Sequence, residues 1–364
     1  MIERSPFPHQ GPLAPFQVLG RIDLRRDLAE RLVQRRLTAL LGPRRYGKTS
    51  ILRRVAADLA EVGPETIWID LYEMSSMADL ASAVDRGLAQ VVGPTRRLLD
   101  DLAGSMSLRL GVLGVELSRS KRERPDPVLA LRSLMQVIVR IAQSREIVVI
   151  FDEFSGIAGV PGAAGLLRTE LQHHYQELGI AFAGSEPSTM RLLFADRAQP
   201  FFAQADLVEI GPLDDGEVTA MVSDGFSSTD RVAGPIVGPL VALADGHPQR
   251  AMQLADALWL RTEEGATADD ATWSDALADV RAGVDVGSER LYALLPSGQQ
   301  RTLRIVASGG SVFGTAADVV DLGPGSAQNA VQALVDRGDL VRRAGRLVVV
   351  DPLFADWLRR RFAL

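Results

Sequence analysis

Gly42-Pro43-Arg44-Arg45-Tyr46-Gly47-Lys48-Thr49 spells G-x-x-x-x-G-K-[ST], the spacing of a phosphate-binding loop. It constrains the fold because such a loop works only between a strand and a helix. Both flanks are present. Leu37-Thr38-Ala39-Leu40-Leu41 is a short apolar run that predicts a buried strand, and residues 50–61 have helical spacing. The glycines let successive backbone N–H groups turn inward around a phosphate, and the helix N-terminus adds positive potential. Lys48 is then placed to reach the β- and γ-phosphates and Thr49 to hold Mg²⁺, with Ser50 opening the helix behind them.

The composition supports that reading. Of forty basic residues only Lys48 and Lys121 are lysine, so a chain that otherwise uses arginine has put one of its two lysines in the loop. A compact ammonium fits a curled loop better than a planar guanidinium does. Net charge is −6 and pI about 5.4, so no global basic field draws the chain to nucleic acid or anionic lipid, and any DNA contact must be local. Cysteine is absent, which excludes disulfides and thiolate metal sites. The N-terminus has no apolar signal core and no stretch approaches membrane-spanning length, so a cytoplasmic protein with no membrane partner is expected.

With 364 residues, two or three domains are expected. Four prolines make residues 1–16 an irregular arm, followed by a helix from Ile22. Strands are predicted at 66–71, 147–151, 180–183 and 207–210, with helices near 78–91, 127–143 and 163–178, an alternating α/β pattern. Alternation over 105–118 predicts a hairpin insertion bending at Gly111–Gly114, and Arg119 to Pro125 a solvated loop. Helices dominate 214–295. The last segment, 296–364, has helices and then a two-stranded wing over 339–350 with a glycine turn. The expected units are therefore 1–213, 214–295 and 296–364.

A second motif, Ile147-Val148-Val149-Ile150-Phe151-Asp152-Glu153, is an apolar strand ending in two carboxylates. About a hundred residues after a phosphate loop, that is where a P-loop ATPase places the acid of its Mg²⁺ shell, here Asp152, and the base that polarises attacking water, here Glu153. Together the two motifs resemble the archaeal-type ATPase group of the AAA+/STAND P-loop NTPases. Weaker segments extend the resemblance over nearly the whole chain. Residues 16–21, including Gly20 and Arg21, look like an F-x-G-R motif lying against the nucleotide base. Residues 180–185 look like a sensor strand ending in Ser185, although Glu186-Pro187 departs from the usual pattern. Gly246-His247-Pro248 matches the G-x-P of a helical lid, and residues 351–358 look like the DPLFxxW ending of a winged-helix tail.

The resemblance implies a parallel-sheet P-loop NTPase core with a helical lid and a C-terminal winged helix, binding ATP or ADP with Mg²⁺. It names Glu153, Lys48 and Ser185 as catalytic, and Pro248 and Arg250 as lid residues at the nucleotide. Arg191 and Arg197 are candidates for an arginine finger, which in trans would require a homo-oligomer; each is equally an ordinary surface residue. Arg250 is a γ-phosphate sensor or an ion-paired lid residue. His173 and His174, adjacent on the helix expected there, do not share a face and so do not chelate one metal. The tail carries nine arginines against six aspartates, yet its candidate recognition helix offers Gln328, Asn329 and Gln332 and no arginine before Arg337. Duplex DNA through residues 296–364, helped by Arg342, Arg343 and Arg346, and a protein partner both stay open. The function expected is a slowly hydrolysing regulatory ATPase, with a DNA-handling ATPase or a non-hydrolysing scaffold as alternatives.

Overall fold

Short apolar runs punctuated by turn residues give strands that can assemble into a sheet covered on both faces, and five strands form one here. A computed structural model of the chain describes residues 3–91, Arg96 and residues 126–362. The expected hairpin 105–118 and the charged stretch 119–125 lie outside the described residues. Strands β1 (Leu37–Leu41), β2 (Glu65–Asp70), β3 (Ile147–Asp152), β4 (Gly179–Ala183) and β5 (Asp206–Glu209) form one parallel sheet in the order β2-β3-β4-β1-β5. Every residue of β1, β3 and β4 is buried, as central parallel strands covered on both faces should be.

Alternation divides β1 to β4 between two cores. Leu37, Ala39, Leu41, Val149 and Phe151 face α3 (Met77–Ala89) and α4 (Pro127–Ser144), where Phe151, Phe154, Phe182, Phe194 and Phe201 make an aromatic nest with centroids 4.5–6.0 Å apart. Leu40, Val148, Ile150 and Ala181 face α1 (Ile22–Val33) and α2 (Lys48–Val62). One expected helix is shorter. α5 runs Ala163–Leu171, not to 178, and His173 and His174 lie in hydrogen-bonded turns before β4. The polar run Gln172-His173-His174 gives a further helical turn nothing apolar to bury. α6 (Pro187–Ala195) then links β4 to β5.

After β5 the chain is helical: α7 (Asp215–Ser227), α8 (Val237–Ala244), α9 (Pro248–Arg261) and α10 (Asp270–Ala293) enclose a separate apolar cluster. The N-terminal arm is irregular, as expected, but anchored: Phe7 is 1% exposed and packs, tilted, against Phe226 at 5.6 Å. It sits where Gly225 lacks a side chain, since a Cβ there would meet its ring at 2.3 Å. A third cluster is built by α11 (Ser297–Ala307), α12 (Thr315–Val319), α13 (Pro324–Asp336), the antiparallel pair β6 (Leu340–Arg343) and β7 (Arg346–Val349), and α14 (Pro352–Arg361). Both turn residues, Ala344 and Gly345, have positive φ (47° and 78°), as a two-residue hairpin turn requires.

The three parts meet at one short segment. Val350 packs into the α1/α2 core, Leu353 into the α7–α10 cluster and Phe354 into the C-terminal cluster. No helix among the described residues is long and apolar enough to cross a membrane.

Candidate functional site

The loop after β1 takes the backbone shape its sequence allows. Gly42 has φ 157° and a Cβ there would meet Ile210 at 2.3 Å; Gly47 has φ 83° and caps α2. Lys48 opens that helix and is 6% exposed. Its ammonium donates to the carbonyls of Gly42 and Pro43, both at 2.8 Å. No carboxylate lies within ion-pairing range of it among the described residues. Burial pulls its pKa down to about 8, against the raising influence of Glu153 and Asp152. A buried ammonium with a third donor to spare, at a helix N-terminus, is a seat for an anion.

β3 brings up the acids. Thr49 Oγ1 donates to Asp152 Oδ2 at 2.9 Å across 103 residues of sequence. Burial pushes Asp152 up to about 6; the Thr49 bond opposes this and Glu153 adds to it. Glu153 leaves the strand with φ 52°, and its Oε2 accepts the Ser185 N–H at 3.1 Å, so the ends of β3 and β4 share one hydrogen bond. Thr49 and Asp152 are too few to cage a metal, and no cluster of three or more His, Cys, Asp or Glu suited to one exists among the described residues. One hydroxyl and one carboxylate do fit Mg²⁺, whose other positions belong to phosphate oxygens and water.

These groups lie at a cavity of about 1360 Å³ closed by the N-terminal arm, the strand ends, the helices after β5 and the C-terminal cluster. Of the residues singled out by sequence, Arg21, Arg44, Arg45, Gly47, Lys48, Thr49, Ser50, Glu153, Ser185, Pro248 and Arg250 line it. Asp152 lies beneath, joined through Thr49. Gly42 and Pro43 supply the carbonyls that hold Lys48. Tyr46 faces away from the cavity and is 1% exposed, its ring edge-on to His247 at 5.0 Å. Gly20 lies outside it, against Glu217. Arg21 acts from behind the loop. Its guanidinium donates to Tyr46 O at 2.6 Å and Gly211 O at 2.7 Å, and burial lowers its pKa to about 10, so it stays charged.

Neither finger candidate reaches this cavity. Arg191 is ion-paired with Glu209 at 2.5 Å, and Arg197 is exposed at the far end of α6. Arg250 is engaged as well. Its Nε donates to Asp351 Oδ1 at 3.0 Å, its Nη2 to Asp351 Oδ2, and its Nη1 to Gln253 at 2.6 Å. Burial raises the Asp351 carboxyl, but the Arg250 hydrogen bonds and charge outweigh it and hold the group below the usual carboxylate range.

Several contributors to the cavity are not among the sequence candidates, and three of them stand out. The arm lends Pro8, His9 and Leu13, and Leu13 N donates to Ser50 Oγ at 3.0 Å. His247 is 2% exposed, caps α9 by accepting the Arg250 N–H, and is pushed by burial down to about 4. The third is the end of α13, Asp336 to Asp339, whose Asp336 O accepts Ser188 Oγ at 2.6 Å. Of these, His247 had a visible signal, because a polar residue before Pro248 is an N-cap followed by proline at the first helical position.

No protein-family model and no curated protein matches the sequence. Solved structures do. The Walker-type ATPase PABY2304 of Pyrococcus abyssi superposes with a TM-score of 0.72 at 21% identity, covering 97% of this chain and 99% of that one. The ORC2 protein of Aeropyrum pernix, in ADPNP–ADP complexes, superposes with a TM-score of 0.59 at 12% identity, covering 100% and 99%. Shared over nearly its whole length with these two, the fold of the chain is that of the P-loop NTPases.

Proposed function

We propose that the chain is a Mg²⁺-dependent ATP-binding protein that hydrolyses ATP slowly and acts as a switch of the AAA+/STAND kind. The observation that carries this reading is the convergence at one cleft of a buried Lys48 held by two backbone carbonyls, the Thr49–Asp152 pair and Glu153. Lys48 and the loop amides hold the phosphates. Mg²⁺ supplies charge neutralisation at the phosphate oxygens, and Thr49 and Asp152 would hold it. Glu153 takes a proton from water as the water oxygen bonds to the γ-phosphorus and the bond to the bridging oxygen breaks, leaving ADP and phosphate. The Ser185 N–H steadies the carboxylate for that task. Adenine is favoured over guanine because no N-K-x-D motif is present in the sequence, and because PABY2304 is named an ATPase and ORC2 is described with ADPNP and ADP.

Slow turnover fits a cleft closed from four sides. The arm, the helices after β5 and the end of α13 must separate for nucleotide to exchange, and that opening moves residues 296–364, here read as a winged helix. A duplex-DNA reader has less support. Arg343 is engaged with Asp245, and the exposed face of α13 offers Gln328, Asn329 and Gln332 but no cation, leaving Arg342 and Arg346 as exposed basic groups of the hairpin. The test is nucleotide binding and turnover by the full chain. Lys48→Ala should weaken ATP and ADP binding more than about a hundredfold. Unchanged binding in that variant would overturn the reading, and turnover stimulated by duplex DNA and suppressed by salt would move it to the DNA class.

A further inference from the structure

Tyr46 occupies a variable position of the phosphate loop, yet its side chain is among the most buried in the molecule. The backbone carbonyl is pinned by Arg21. Its ring is wedged against His247 and belongs to the same apolar cluster as Val350, which follows β7. The hydroxyl accepts a hydrogen bond from Arg343 Nη2, at the tip of the C-terminal hairpin and 297 residues away in sequence. The other arm of that guanidinium donates to Asp245 Oδ2 at 2.7 Å. Asp245 caps α8 with φ 45° and directly precedes Gly246-His247-Pro248. One arginine thus ties together the crest of the phosphate loop, the turn between α8 and α9, and the hairpin.

We propose that Tyr46 and Arg343 are a positioning pair through which the docked hairpin holds the phosphate loop in its nucleotide-retaining shape. This deepens the nucleotide reading given above and rests on it. The physical case is one of restricted alternatives. Gly47 and Arg45 both have positive φ, so the loop crest is a turn that can rearrange, and tertiary contacts must choose its shape. The Tyr46 carbonyl and hydroxyl are both spoken for, the first from within the nucleotide-binding half and the second from the far end of the chain. Removing the hydroxyl's partner leaves a buried phenol with no strong donor, and the ring then has freedom to leave the His247 edge. By linkage, whatever loosens the hairpin loosens the nucleotide, and bound nucleotide in turn stabilises the docked hairpin by the same factor. Arg343 does not line the cavity, and its side-chain hydrogen bonds go to Tyr46 and Asp245, so its effect on nucleotide is routed through those two residues.

The experiment is a double-mutant cycle on the full chain with Tyr46→Phe and Arg343→Gln, read by fluorescent ADP dissociation and by hydrogen exchange of residues 340–349. Each single variant should speed ADP release about tenfold, the lower end of the size expected for one hydrogen bond to a charged donor, and the double variant should be no faster than either. Arg343→Lys, which keeps one donor, should restore part of the loss. In the parent, ADP should slow exchange in residues 340–349, and this protection should vanish in Arg343→Gln; a purely structural arginine would lower protection with and without ADP alike. Multiplicative effects in the double variant, or ADP release unchanged in Arg343→Gln, would overturn the pairing while leaving nucleotide binding in place. Failure of the parent chain to bind ADP or ATP at all would overturn the nucleotide reading and the pairing with it.

Discussion

The two walls of the cleft are made in opposite ways. On the phosphate side, Gly42 to Thr49 and Asp152-Glu153 are short stretches whose positions follow from a strand end and a turn, and their hydrogen bonds run within the loop, from the loop helix to the end of β3, and from there to the end of β4. On the C-terminal side, the groups are held by ion pairs across great stretches of chain: Arg343 to Asp245, Arg250 to Asp351, Arg281 to Asp356. The first wall is a motif and holds the residues proposed for chemistry; the second is a set of clasps that fix position. A motif can be read from eight residues, whereas a clasp exists only once the fold has brought its two halves together.

If that contrast holds, a change on the first wall should alter reaction with little effect on folding. Glu153→Gln should bind ATP as the parent does and hydrolyse it about a thousandfold more slowly, the loss expected for a general base. Single-turnover hydrolysis checks this, and an unchanged rate would remove Glu153 from that role.

His247 stands between the walls and should report on burial. Its folded pKa of about 4 lies below the ordinary histidine value, so between pH 6.5 and 4 the unfolded chain takes up a proton that the folded chain refuses. Stability from this residue is therefore full above pH 6.5 and falls as pH drops. It should contribute a loss of about 2 kcal/mol between pH 7 and pH 5. His247→Asn keeps an N-cap acceptor and has no titrating group, so in urea unfolding its stability should fall less over that interval. Parallel curves for parent and variant would contradict a neutral, buried imidazole.

The smallest effect belongs to the second wall. Asp351→Asn keeps a cap for α14 but loses the charge that faces Arg250, and should cost about 1 kcal/mol of stability. Equal midpoints in denaturant would show that this clasp holds nothing.

The same contrast explains what was legible in the sequence. The sheet, its strand limits within a residue or two and the residues Lys48, Thr49, Asp152 and Glu153 could be read because periodicity and motif spacing are local quantities. Helix α5 was overextended because its apolar spacing gives no stop signal until the polar run after Leu171 is weighed. The arm could be read as irregular from its prolines, but Phe7 filling the space at Gly225 could not, since those positions are more than two hundred residues apart. Arg343 was legible as a basic residue on a wing and illegible as a ligand of Tyr46. Charge is written in the sequence, and its partner is written only in the packing.

Five consecutive positions, Val350 to Phe354, distribute side chains among three different apolar cores. A ribosome delivers the chain in the N-to-C direction, so the sheet and the helices after it emerge before that segment does. Each of those earlier cores therefore stays incomplete, with a gap the size of one aliphatic side chain, until synthesis has passed Phe354. Closure of the whole molecule is a late event of high contact order, so folding should be slow at its last step. The same segment lines the cavity with Val350, Asp351 and Phe354, so the cavity itself is finished only when that segment has been made and has docked.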